Sequence, residues 1–184
     1  MAIFDQPERY GAVSRAFHWG MAVLFAAQFL SAAAHMIFPR DNVIREVLWS
    51  YHTTLGATLF LLVLLRGLWG FANMSRRPAQ EPGLPGRAAR AGHAALYALM
   101  VIVPGLRLLA AAGSTRGFSY LGLEIFPPRE TAVAWMGLPA ELHGALGWLL
   151  AVLVVGHMLV AVVWHQRIRQ DTAMRCMTVS CRMR

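Results

Sequence analysis

Six of the seven histidines in this 184-residue sequence, His18, His52, His93, His143, His157 and His165, fall within or at the ends of long apolar runs, and the seventh, His35, lies late in the first run. A lone histidine in an apolar helix is usually a hydrogen-bonded packing residue, but ionisable groups gathered in such helices are functional by default. His143 and His157 are fourteen residues apart, which on an α-helix is roughly 21 Å along the axis and only about 40° in azimuth. One helix therefore presents two imidazoles to the same interior face, one near each end. A neutral imidazole offers one nitrogen lone pair to a metal while its other nitrogen donates a hydrogen bond. Separated pairs of this kind differ from a zinc site, which needs three or four converging ligands, usually with cysteine or carboxylate help. The two cysteines, Cys176 and Cys181, sit in a polar tail and read as free thiols, not as a disulfide framework or a metal site.

The elements that must position these imidazoles follow from composition. The sequence is 57% hydrophobic and 14% charged with a mean hydropathy of +0.48, against about 25% charged residues in ordinary soluble domains. Lipid is the expected solvent. A membrane helix needs roughly 20 apolar residues, and four segments pass: about 16–38, 47–71, 91–112 and 142–165. With a tail over 166–184 they use up the length of a single domain, residues 1–184. The expected fold is all-α, an integral membrane antiparallel four-helix bundle. Arg76-Arg77-Pro78 through Pro82, Pro85 and Gly86 reads as a loop. Gly113 to Pro139 reads as an ordered surface segment with a short interfacial helix. The first run also resembles a secretory leader, with Arg9 and Arg15 before it and Ser31-Ala32-Ala33-Ala34 as a cleavage-like stretch. Its continuation to Phe38 and the use found for His18 favour a retained helix.

The formal net charge of +8 is carried by seventeen arginines and no lysine. In a soluble chain this would point to nucleic acid; among apolar runs it points to lipid and topology, and no nucleic-acid partner is expected. With the N-terminus in the cytoplasm, twelve arginines fall on that side, and Arg40, Arg45, Arg107, Arg116 and Arg129 fall on or toward the other. That positive-inside bias places both termini in the cytoplasm. His18 then begins the first helix at the surface that His157 approaches, and His52 begins the second where His143 begins the fourth. The natural pairs are His18 with His157 and His52 with His143. Two imidazoles from facing helices suit an iron porphyrin bound on both axial faces. Gly56, Gly144, Gly147 and Gly156 would let a flat ring approach, or serve simple helix packing. Arg66, fourteen residues after His52, lies on nearly the same face at the opposite surface. It would pair with a propionate of the cytoplasmic haem or snorkel at a helix end. His93 and His165, both toward the cytoplasm, would meet a quinone carbonyl or relay its protons, or contact headgroups, water or a propionate. His35 receives no role.

The pieces Ala16-Phe17-His18-Trp19, Phe38-Pro39-Arg40, His52 followed by Gly56 and Arg66, Gly92-His93 followed by Tyr97 and Pro104-Gly105, and His143 with His157 and His165 resemble the bacterial cytochrome b561 family, from Arg15 to about Arg175. The resemblance implies a bacterial inner-membrane protein with two b haems held by histidine pairs, and electron exchange with quinone. It implies ligands from the first, second and fourth helices, which here match His18, His52, His143 and His157. It also implies a superoxide oxidase-like activity, in which periplasmic superoxide gives an electron that passes to ubiquinone. A relay subunit for a hydrogenase-like or other dehydrogenase partner is the alternative. A non-redox membrane module, whose histidines bind a metal or sense pH, is a third reading of another class. Superoxide as donor would be helped by a local excess of the five periplasmic arginines. Asp41, Glu46, Glu124, Glu130 and Glu141 leave that side formally neutral, so only an uneven arrangement would steer an anion.

Overall fold

The computed structural model describes residues 2–7, 9–77 and 82–163. Helix α1 spans Ala12–Ile37, α2 Val43–Ser50, α3 His52–Ala72, α4 Gly83–Ala112, α5 Ala134–Gly137 and α6 Leu142–Leu159, with a two-stranded antiparallel sheet of β1 (Phe118–Tyr120) and β2 (Leu123–Phe126) between α4 and α5.

 The all-α bundle is made by four runs long and apolar enough to cross a membrane: α1, α2 with α3, α4, and the stretch from α5 through α6, Leu142–Leu159, to Val163. Close helix contacts run from α1 to α3, α3 to α4 and α4 to α6, with α2 lying against α1. We call the end where α1 begins proximal and the end where it finishes distal.

The interior is thin. Met21, Leu59, Val63, Met100 and Leu150 form the buried centre, with Leu24, Phe25, Phe29 and Tyr97 packed against it. Most other large apolar side chains, among them Leu68, Phe71 and Val152, are exposed. A soluble bundle would bury them; lipid tails solvate them here, so only a narrow inward stripe has to be close-packed.

Several boundaries differ from those the sequence implied. The second run is broken at Tyr51, because a separate short helix, capped by the Asn42 side chain accepting from the Ile44 and Arg45 amides, precedes α3. Helix α4 starts at Gly83 instead of near residue 91, and Pro85 and Gly86 belong to it and not to the loop. Pro85 is tolerated because it stands in the first turn, where a helix has no acceptor for an N–H. Helix α1 starts at Ala12, four residues earlier than expected. Between α4 and α5 the chain forms the unforeseen hairpin, turning through Leu121 (φ 50°) and Gly122 (φ 83°). Both torsions are left-handed, as a two-residue hairpin turn that follows the strand twist requires. Tyr120 and Thr58 hydroxyls meet at 2.9 Å and tie the hairpin to α3. His165, Cys176, Cys181 and the tail over 166–184 lie outside the described residues.

At the proximal end the segment before α1 folds back on the end of α3. Asp5, 2% exposed, accepts from the Gly11 amide at 2.8 Å and from Arg77 Nε at 3.2 Å. Phe4 stacks on Trp69, whose indole N–H donates to Ser14. Removing the Asp5 carboxylate strands a buried amide donor, a loss of about 1–3 kcal/mol. Asp5→Ala is therefore expected to lower the thermal unfolding midpoint in detergent. Asp5→Asn, which keeps an acceptor for Gly11, should lower it less. Equal losses would show that the Gly11 bond contributes nothing.

Candidate functional site: two imidazole pairs

The distal site is assembled from α1, α2, α3, α4 and α6. His52 is the first residue of α3 and His143 the second of α6, and their ring centroids stand 6.3 Å apart at 77°. His143 Nδ1 donates to the Val103 carbonyl at 2.9 Å. Ser31 Oγ donates to the Gln28 carbonyl at 2.7 Å and lies 2.8 Å from His52 Nδ1. A hydroxyl has one proton to give, so Ser31 accepts from His52 Nδ1–H. Both rings then carry their proton on Nδ1 and have Nε2 as the lone-pair nitrogen, the tautomer that can ligate a metal. The Gln28 amide nitrogen, 3.2 Å from His52 Nε2, recognises that same lone pair.

Beside the pair lies a cavity of about 280 Å³, lined among others by His52, His143, Gly56, Gly144, Gly147 and Trp148. A Cβ added at Gly144 would meet nothing within 4 Å, and one at Gly147 only Val103 Cγ1 at 3.9 Å. These glycines thus leave a side-chain-free wall on α6. Trp49 is stacked with His52 at 4.5 Å and with His35 at 3.8 Å. Arg45, one turn before Trp49 on α2, donates to the His35 carbonyl at 3.1 Å and reaches His35 Nε2 at 3.4 Å.

The proximal site joins α1, α3, α4 and α6. His18 and His157 have centroids 6.4 Å apart at 70°, and His93 stands 5.3 Å from His157. His93 is exposed and donates from Nδ1 to the Ala89 carbonyl at 2.7 Å, which leaves its Nε2 lone pair available. Arg66 reaches His18 Nδ1 at 3.2 Å, with its guanidinium over the Tyr97 ring at 5.7 Å. The contact is to the imidazole itself, nearer to the pair than a helix-end arginine would stand.

The four histidines singled out from spacing therefore meet as two separated pairs. With metal–imidazole bonds of about 2 Å, two axial imidazoles sharing one iron hold their ring centroids about 6 Å apart. The separations of 6.3 Å and 6.4 Å match, so the residues present fit a porphyrin iron at each end. Among the described residues no group of three His, Cys, Asp or Glu converges as a bare metal site would require.

Sequence reasoning missed Gln28, Ser31, Trp49, Val103 and the placement of His35. A signal existed for three of them. Gln28, Ser31 and His35 lie at i, i+3 and i+7, one face of an otherwise apolar helix, and polar groups in such helices turn inward. Val103 acts through its backbone and left no such trace.

Comparison with known proteins identifies relatives of the chain as a whole. The sequence model of the family described as prokaryotic cytochrome b561 matches residues 9–179. The chain is also similar to the cytochrome b561 homolog 2 of Escherichia coli (strain K12), with 28% identity over 177 residues, covering 95% of this chain and 94% of that protein.

Proposed function

This chain belongs to the prokaryotic cytochrome b561 family, and on that premise we propose that it is a single-domain cytochrome of the bacterial inner membrane that carries electrons from superoxide to ubiquinone through two haem sites. Membership in the family brings b-type haem binding and membrane electron transfer. The observation that supports two sites is the separation of 6.3 Å and 6.4 Å in the two histidine pairs. On this reading His52 and His143 hold the periplasmic haem, His18 and His157 the cytoplasmic one, and both termini are cytoplasmic, as the arginine bias favours.

A b haem held by each histidine pair would supply a one-electron carrier. The chain's own residues do the rest. The Val103 carbonyl and Ser31 fix the Nδ1–H tautomers of His143 and His52. With Nε2 of His18 holding a haem, its Nδ1 would carry a proton, and the Arg66 guanidinium, a donor only and now at 3.2 Å from that nitrogen, would serve an acidic group such as a propionate instead. Two superoxide anions give one electron each and leave as dioxygen, and quinone takes both electrons with two protons to become quinol. His93, whose Nδ1–H is given to the Ala89 carbonyl, would on this reading hand on those protons through Nε2.

The donor assignment rests on an uneven charge arrangement. Among the described residues, Arg45 is hydrogen-bonded to His35, and Arg40 and Arg107 add positive charge whose field reaches the distal imidazoles. Arg77, by contrast, is ion-paired to the Asp5 carboxylate at the other end. A small anion is thus drawn toward the imidazoles although the surface as a whole is formally neutral. Such fields raise association rates by about 10 to 10³ and weaken with salt.

Rapid mixing of the protein with superoxide in the presence of quinone is expected to reduce haem faster than superoxide dismutates, and more slowly at high salt. Arg107→Glu should slow that step about tenfold and leave reduction by a neutral quinol unchanged. Absence of reduction by superoxide, with rapid reduction by a co-purifying dehydrogenase subunit, would reject this donor in favour of a relay role.

A further inference from the structure

We propose that Ser31 is a positioning residue that sets the reduction potential of the distal haem by accepting the Nδ1 proton of His52. The inference rests on the assignment of His52 as an axial ligand.

Ser31 is 0% exposed in the middle of a polar chain: His52 Nδ1–H donates to Ser31 Oγ at 2.8 Å, and the Ser31 hydroxyl donates to the Gln28 carbonyl at 2.7 Å. A hydroxyl whose own proton is engaged is a better acceptor, because successive hydrogen bonds polarise one another. Accepting the ring proton raises the electron donation of the ligating Nε2 and favours the oxidised iron, one of the ways a protein tunes a haem. The partner ring makes the equivalent bond to a backbone carbonyl, Val103, which no side-chain substitution removes. Within this pair Ser31 is the adjustable acceptor.

The site also restricts what can replace it. His52 is held by Trp49, stacked at 4.5 Å, so its ring is held by a packing contact as well as by the hydrogen bond. Loss of the hydroxyl leaves a buried N–H without an acceptor while the stacking that orients the ring remains. The expected consequence is a change of potential with the ligand still in place.

The test is a redox titration of the detergent-purified full-length protein, followed by its visible spectrum. In Ser31→Ala one haem is expected to shift to a higher midpoint potential and the other to stay, with haem content unchanged. Ser31→Thr keeps a hydroxyl that reaches the carbonyl one turn back, and is expected to restore the lower potential. Unshifted potentials in a fully loaded Ser31→Ala protein would overturn the proposal, and so would equal shifts or equal haem loss in both variants. If Ser31→Ala loses the haem and Ser31→Thr retains it at the original potential, the hydroxyl is upheld as the anchor. His52→Ala, measured alongside, separates the two levels: two haems retained there would remove the ligand assignment itself, whatever Ser31 does.

Discussion

Replacing His143 by alanine is expected, on the proposed two-haem assignment, to reduce the haem content of the purified protein from two to one and to abolish haem reduction by superoxide, while the haem at the proximal pair keeps its spectrum. The reason is geometric. His143 and His52 face each other across 6.3 Å, and no other histidine among the described residues is paired with either at that separation. His35 is the nearest substitute, but Trp49 lies stacked with both it and His52. His52→Ala should match His143→Ala, and His18→Ala or His157→Ala should remove the other haem. His35→Ala is the control and should leave both. Haem per protein by extraction, with reduced-minus-oxidised spectra, measures all of these. Two haems with unchanged spectra in His143→Ala would sink the pairing.

A second large effect is expected from Gly147→Leu, which should abolish distal haem binding without unfolding the apoprotein. Gly147 lies one turn after His143 and lines the distal cavity. Its added Cβ meets only Val103 Cγ1, at 3.9 Å, an ordinary contact, and the rest of the side chain has the distal cavity to enter. Glycine inside a helix costs about 0.8–1 kcal/mol relative to alanine, and leucine is among the better helix formers. The substitution should therefore leave helicity intact or improve it while filling the space a flat ring needs. Gly20→Leu, at an exposed position of α1 with nothing within 4 Å, should leave haem content unchanged. Full distal loading of Gly147→Leu would mean that the glycine serves helix packing alone, and the cavity would not be the haem site.

These two experiments address different levels of the same reading, since one removes a ligand and the other the space beside it. Agreement between them would join the imidazole pair to the cavity. A lost haem in His143→Ala with a retained one in Gly147→Leu would keep the ligands and move the ring elsewhere.

How much of this was legible in the sequence depended on the range of the forces involved. Four helices and their lipid-facing character could be read directly, because apolar length is a local property that a bilayer acts on segment by segment, and the family could be read from short histidine-bearing motifs in a fixed order. The partners in each histidine pair were legible too, because a helix converts residue spacing into rise and azimuth, so fourteen residues between His143 and His157 already assign one imidazole to each end. The break at Tyr51 and the start of α4 at Gly83 were not. They depend on a side-chain cap at Asn42 and on proline falling in a first turn, choices that composition does not rank. The hairpin was hidden because its turn is built from Leu121 and Gly122, without the usual Asn-Gly signal. Tertiary structure alone decided the surroundings of the rings. The Val103 carbonyl reaches His143 from forty residues away, Ser31 reaches His52 from twenty-one, and Arg45, Arg40 and Arg107 gather at an end whose formal charges cancel in the sequence. Hydrogen bonds and local fields act over a few ångströms in space, and separation along the chain carries no record of that distance until the helices pack.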